Sequence, residues 1–162
     1  MEGYHNAPRI DPIPGNMFEL AEDFIYEWEK HGVPQRLTIG AGFPFDGASI
    51  PEAATFLTWL LPFFKTIRPM GMHIYAALVH DYIFMYRGML PKGAHKALVN
   101  GQWMDAHHKW TFTQANKLFA RMLREDGVRR RERRAMFLAV QSPIGYISWK
   151  TGDLPPDARE NL

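Results

Sequence analysis

Hydrophobic residues recur along this chain in two rhythms, and the switch between them divides it. Met17, Leu20, Ala21, Phe24, Ile25 and Trp28 fit a helical stripe capped by Asn16, yet "DFIYEW" has the aromatic and β-branched content of a strand. The next segment, "RLTIGAGF", reads as a short strand closed by glycines. A strand needs a partner, so these two segments are expected to form a small antiparallel sheet. After residue 50 the pattern turns helical. "GMHIYAALVHDYIFMY", Gly71 to Tyr86, is apolar at nearly every position from Ile74 to Met85, which predicts a helix buried on most faces. Ala115, Leu118, Phe119, Met122 and Leu123 make the apolar face of a helix over 114–126, with Gly127 as its stop and Val128 packing back.

Between these helices, "GAHKALVNGQWMDAHHKW" reads as a surface helix or an insertion. His107 and His108 are adjacent rather than four apart, so they do not share a helical face as a ligand pair would. Tyr146 and Trp149 read as anchors that close the core. Residues 1–16, with Pro8, Pro12, Pro14 and Gly15, form an extended arm, and 151–162, "TGDLPPDARENL", a similar tail. The expected fold is therefore α+β. It is a mainly helical single domain over 17–150 with a small antiparallel β-hairpin or sheet near the N-terminus.

Composition narrows the function. A chain of 162 residues with 46% hydrophobic and 22% charged residues has the make-up of one soluble globular domain. It has no cysteine, which excludes disulfides, a thiolate nucleophile and thiolate metal ligands. Any metal would be held by His, Asp, Glu or amide groups. The net charge of +2 does not point to nucleic acid. Arg129–Arg134 does hold five arginines in six residues, read as a solvated helical face or, more sharply, as a phosphate or anionic-surface contact. "MEGYHNAPRI" lacks the pattern of a secretory signal. The most apolar run, "AATFLTWLLPFF", is broken by Pro62 and falls short of the roughly 20 residues that cross a bilayer, so no transmembrane segment is expected.

Two stretches carry candidate chemistry. In "GFPFDGASIP", residues 42–51, Ser49 with Ile50, Pro51 and Glu52 has the capping-box pattern of a helix start. Asp46 stands three residues earlier, on a turn that Gly47 frees to aim a carboxylate at a helix N-terminus or a cation. On the apolar helix, His73, His80 and Asp81 flank Ala77 on one stripe. An ionised aspartate there needs a partner, since leaving it unpaired in an apolar interior costs on the order of several kcal/mol. A metal ion, a histidine poised as base, and a purely structural hydrogen bond are the three candidates.

Taken together, "GFPFDGASIP", then "AALVHDYIFMY", then "ANKLFARMLREDGV" resemble the domain-of-unknown-function family 1353, small proteins of tailed phages, prophages and bacteria. The resemblance runs from about Phe18 to Trp149. Asp46, Ala48, Ser49, Ile50 and Pro51 match its first motif, His80, Asp81 and Tyr82 its second, and Ala115 the opening of its third. Asn116 stands where the family has an aspartate, and Glu52 where it usually has an arginine. The resemblance implies that the turn, the buried helix and the start of the 114–126 helix meet, so that Asp46, His80, Asp81 and Asn116 form one polar cluster. An amide can coordinate a cation or hydrogen-bond, but it cannot take up a proton as a carboxylate does.

Two functions follow as expectations. In one, Asp46, His80 and Asp81 act as an acid/base set, or with Asn116 bind a Zn, Mn or Fe ion, in a small hydrolase of a cell-wall or phosphoester linkage, with Ser49 either supporting those residues from behind or touching the substrate. In the other, the cluster is a buried polar knot in a virion or assembly protein that holds its neighbours through 1–16 and 151–162. The expected location is the host cytoplasm or the virion.

Overall fold

The computed structural model describes residues 3–4, 7–14, 17–45, 73–106 and 109–152. Asp46, Ser49, the capping box, the run through Pro62, the histidines His107 and His108, and the tail beyond residue 152 lie outside the described residues. The chain divides into two units.

The first unit takes the described residues up to Phe45 together with Met89–Lys109. Its strands are β1 (Gly3–Tyr4), β2 (Ile10–Ile13), β3 (Met17–Leu20), β4 (Phe24–Lys30), β5 (Val33–Ile39), β6 (Pro44–Phe45), β7 (His95–Val99) and β8 (Gln102–Asp105). They build a five-stranded antiparallel sheet in the order β1-β4-β5-β7-β8 and a three-stranded one in the order β2-β3-β6. Strands β4 and β5 pair from Phe24↔Ile39 to Lys30↔Val33, as a strand reading of "DFIYEW" requires. Alternation with period two then decides which side is dry. Phe24, Tyr26 and Trp28 are buried with Gln35, Leu37 and Ile39, while Glu27 and Arg36 pair on the other face at 2.6 Å.

The expectation of a mainly helical chain with strands only near its N-terminus is overturned by β7 and β8. The segment read as a surface helix or insertion is a hairpin that extends the sheet through Gln35↔Ala97 and Leu37↔His95. Its turn explains the difference. Asn100 and Gly101 both adopt positive φ, 51° and 77°, the geometry a two-residue turn needs to match strand twist. Asn-Gly between two short apolar runs is a hairpin signal, and it outweighs a periodicity too short to separate helix from strand. The same geometry, at His31 and Gly32 (53° and 78°), joins β4 to β5.

The second unit takes the described residues from 73 to Gly88 and from Trp110 to 152. It consists of α1 (Ile74–Met85), α2 (Phe112–Glu125), α3 (Arg130–Val140) and α4 (Pro143–Thr151). Helix α1 packs on α2, α2 on α3, and α3 on α4. Thr111 and Gln114 close a capping box at the start of α2. Its other end stops as expected: the Val128 amide donates to Leu123 O and the Gly127 amide to Arg124 O, with Gly127 at φ 74°. Helix α1 ends by the same pattern, Gly88 donating to Ile83 O and Arg87 to Phe84 O. Phe84, Phe112 and Trp149 cluster with centroids 4.9–6.0 Å apart, which makes Trp149 a core anchor, while Tyr146 meets Phe112 edge-on from an exposed position. None of the described helices is long and apolar enough to cross a membrane.

Candidate functional site

His80 and Asn116, two buried polar residues of the second unit, meet where α1 packs on α2. Helix α1 buries Ala76, Ala77, Leu78, Val79, His80, Tyr82 and Ile83, which leaves His80 as a polar side chain in an apolar surround. His73 lies 4.0 Å from Asp126 at the end of α2, and His80 meets Asn116 near its start. The two helices therefore run antiparallel, and the predicted stripe of α1 faces α2.

His80 is 8% exposed and Asn116 is 0% exposed. The ring of His80 is held between Phe84, at 4.0 Å between centroids, and Phe119, at 4.9 Å. Its Nε2 is 2.9 Å from Asn116 Oδ1. The Asn116 amide nitrogen in turn faces Val140 O at 3.3 Å and Gln141 Oε1 at 2.7 Å.

These distances assign the protons. A backbone carbonyl only accepts, so the NH2 group of Asn116 must point at Val140 and its oxygen at His80. His80 Nε2 is then the donor, and the neutral ring carries its lone pair on Nδ1. That nitrogen lies 3.6 Å from Asp81 Oδ1, on a side chain that is 27% exposed. A histidine with one nitrogen tied to a buried acceptor, and the other beside a partly exposed carboxylate, is arranged to accept a proton or a cation at the second nitrogen.

Of the residues singled out in the sequence, His80, Asp81 and Asn116 thus come together. His73 pairs with Asp126 instead, and Asp46 and Ser49 lie outside the described residues. Among the described residues no three His, Asp or Glu side chains are grouped closely enough to hold a metal ion. Sequence reasoning missed Val140 and Gln141. Gln141 is the residue after α3, and no spacing rule links it to a position 25 residues earlier. It also missed the first unit's polar pair, where His95 Nε2 lies 3.1 Å from Gln35 Oε1 and the ring stacks on Trp28 at 5.4 Å. The pairing of Leu37 with His95 places that ring beside Gln35 only once the hairpin has joined the sheet.

The described residues define a protein of two antiparallel sheets and a helical unit, in which a helix-borne His-Asp pair is completed by an amide from a second helix. The family model described as "Protein of unknown function (DUF1353)" matches residues 18–140, most of the chain, and the chain belongs to that family. Comparison with curated proteins and with solved structures gives no match.

Proposed function

We propose that the protein is a small hydrolase in which His80 is the general base. The direction of the Asn116 amide carries this reading, because it leaves the His80 lone pair on Nδ1. Nδ1 takes a proton from a water molecule as the water oxygen attacks the electrophilic centre of a cell-wall or phosphoester linkage. The ring then returns the proton to the leaving group. Such proton transfer is worth about 10²–10⁴-fold in rate. The Asp81 carboxylate lies beside the nitrogen that gains positive charge, and Asn116 keeps the ring from turning.

In this reading Asp46 would supply a further carboxylate and Ser49 a contact to the substrate. A Zn, Mn or Fe ion held by Asp46, Asp81 and His80 Nδ1 is an exclusive alternative, since one lone pair cannot both bind a cation and accept a proton. Asn116, its oxygen engaged by His80, supports the ring in either version.

The test is turnover of peptidoglycan fragments and of phosphodiester and phosphomonoester chromogenic substrates, comparing wild type with His80→Gln and with metal content measured. A folded wild type that turns over none of these, with or without added Zn, Mn or Fe, sinks the hydrolase reading.

The full burial of Asn116 with both amide atoms paired supports a second reading, in which the cluster is a polar knot joining α1, α2 and the end of α3 in a non-catalytic virion or assembly component. Stronger protection of residues 1–16 and 151–162 from protease in an assembled particle than in the isolated chain would support it.

A further inference from the structure

We infer that Gln141 is a positioning residue for His80, acting through Asn116, so that the direction of one glutamine amide, together with the Val140 carbonyl, decides which imidazole nitrogen carries the proton. This rests on the base reading of His80 for its purpose, but not for its geometry.

Asn116 can occupy its pocket in two orientations of nearly equal shape, and only its partners distinguish them. In the orientation described, the Asn116 nitrogen donates to Val140 O and Gln141 Oε1, its oxygen accepts from His80 Nε2–H, and Nδ1 is left with the lone pair. In the reverse orientation Gln141 would turn and donate to the Asn116 oxygen, the Asn116 nitrogen would donate to Nε2, and the proton would sit on Nδ1, facing Asp81. His80 would then have no lone pair to offer a water molecule.

Two acceptors hold the chain in the first orientation, and the shorter contact, 2.7 Å, is to Gln141, against 3.3 Å to Val140. With Asn116 at 0% exposure, bulk water cannot replace either. Helix α3 ends where it does to supply both groups: Val140 is its last residue, and Gln141 caps it while its own amide donates to Phe137 O at 2.9 Å. The relay also calls for an amide rather than a carboxylate at position 116. An asparagine can donate to these two acceptors, whereas a carboxylate would set an oxygen against the Val140 carbonyl.

The experiment uses the full chain with ¹⁵N-labelled histidine and reads the tautomer of the neutral His80 ring from its two-bond ¹H–¹⁵N couplings. Gln141→Glu keeps an acceptor at the position, and Gln141→Met keeps its length without one. Wild type and Gln141→Glu are expected to show the Nε2–H form alone. Gln141→Met is expected to show a measurable share of Nδ1–H while still melting cooperatively. A wild-type ring protonated on Nδ1, or a Gln141→Met spectrum identical to wild type, overturns the inference. The hydrolase reading fails separately: if the tautomer moves as expected in a protein without turnover, the relay stands and the enzyme does not. If turnover is found, Gln141→Met should lower kcat with KM unchanged, and Gln141→Glu should restore it.

Discussion

His80 Nε2 and Asn116 Oδ1 meet at 2.9 Å across 36 residues of chain, in a place where Asn116 has no exposed surface. A buried hydrogen bond of this kind is worth little net while intact. It costs much more when one partner is removed and the other remains.

Asn116→Ala should therefore lower stability by about 2–4 kcal/mol, combining a small cavity with stranded groups on His80 and Val140. Asn116→Asp should cost at least as much, because it keeps an acceptor for His80 but sets a fully buried carboxylate oxygen against the Val140 carbonyl and Gln141 Oε1. Chemical denaturation of the three proteins checks the order. If aspartate were tolerated clearly better than alanine, the two acceptors facing this position would not be what selects an amide here.

His80→Gln should remove about 10²–10⁴-fold of any hydrolytic rate. Asp81→Asn should reduce turnover while its larger exposure, 27% for the side chain, keeps the loss of stability smaller than that of Asn116→Ala. Steady-state kinetics alongside melting curves separate the two effects.

Glycine substitutions distinguish crowding from conformation. Gly88 has φ +76°, and a Cβ there would clash with the backbone carbonyl oxygen of Trp110, a residue held close by its own amide, which donates to Gly88 O at 2.9 Å. Gly127 has φ +74° with nothing within 4 Å. Gly127→Ala should cost about 1 kcal/mol, the conformational penalty alone, whereas Gly88→Ala should cost more than twice as much. Equal losses would show that the Gly88–Trp110 approach relaxes freely.

The hairpin turn should be sensitive in the same way. Replacing Gly101, at φ +77°, with valine should destabilise the β7-β8 pair by roughly 1–2 kcal/mol, while Asn100→Asp should be nearly neutral. Hydrogen exchange of the Lys96–Ala97 amides, in the strand that joins this hairpin to β5, reports the change.

Burial pushes the Tyr75 phenol above its usual 10.0. The folded chain then holds that proton after the unfolded chain has released it. The resulting stability is complete below the ordinary phenol value and is lost as pH rises through the raised one. Melting temperature should fall more steeply above pH 10.0 in wild type than in Tyr75→Phe.

Local patterns in the sequence marked α1, the apolar face and glycine stop of α2, two short strand segments at β4 and β5, and His80 and Asp81 as residues of interest, while Asn116 was marked by the family resemblance. These depend on short-range physics: side-chain periodicity, capping and the left-handed backbone of Gly127. The Asn100-Gly101 turn was equally local and was outweighed by a helical reading of its surroundings. Three features were beyond local pattern. The β5-β7 pairing brings together positions about 60 residues apart, the antiparallel meeting of α1 and α2 sets His80 against Asn116, and the close of α3 brings Val140 and Gln141 to the amide. The residue types named the chemistry available, because a histidine, a carboxylate and an amide have fixed donors and acceptors. Which nitrogen of His80 holds the proton was decided only by tertiary structure, because it depends on the Val140 carbonyl and the Gln141 side chain, two acceptors that only the fold can bring to Asn116.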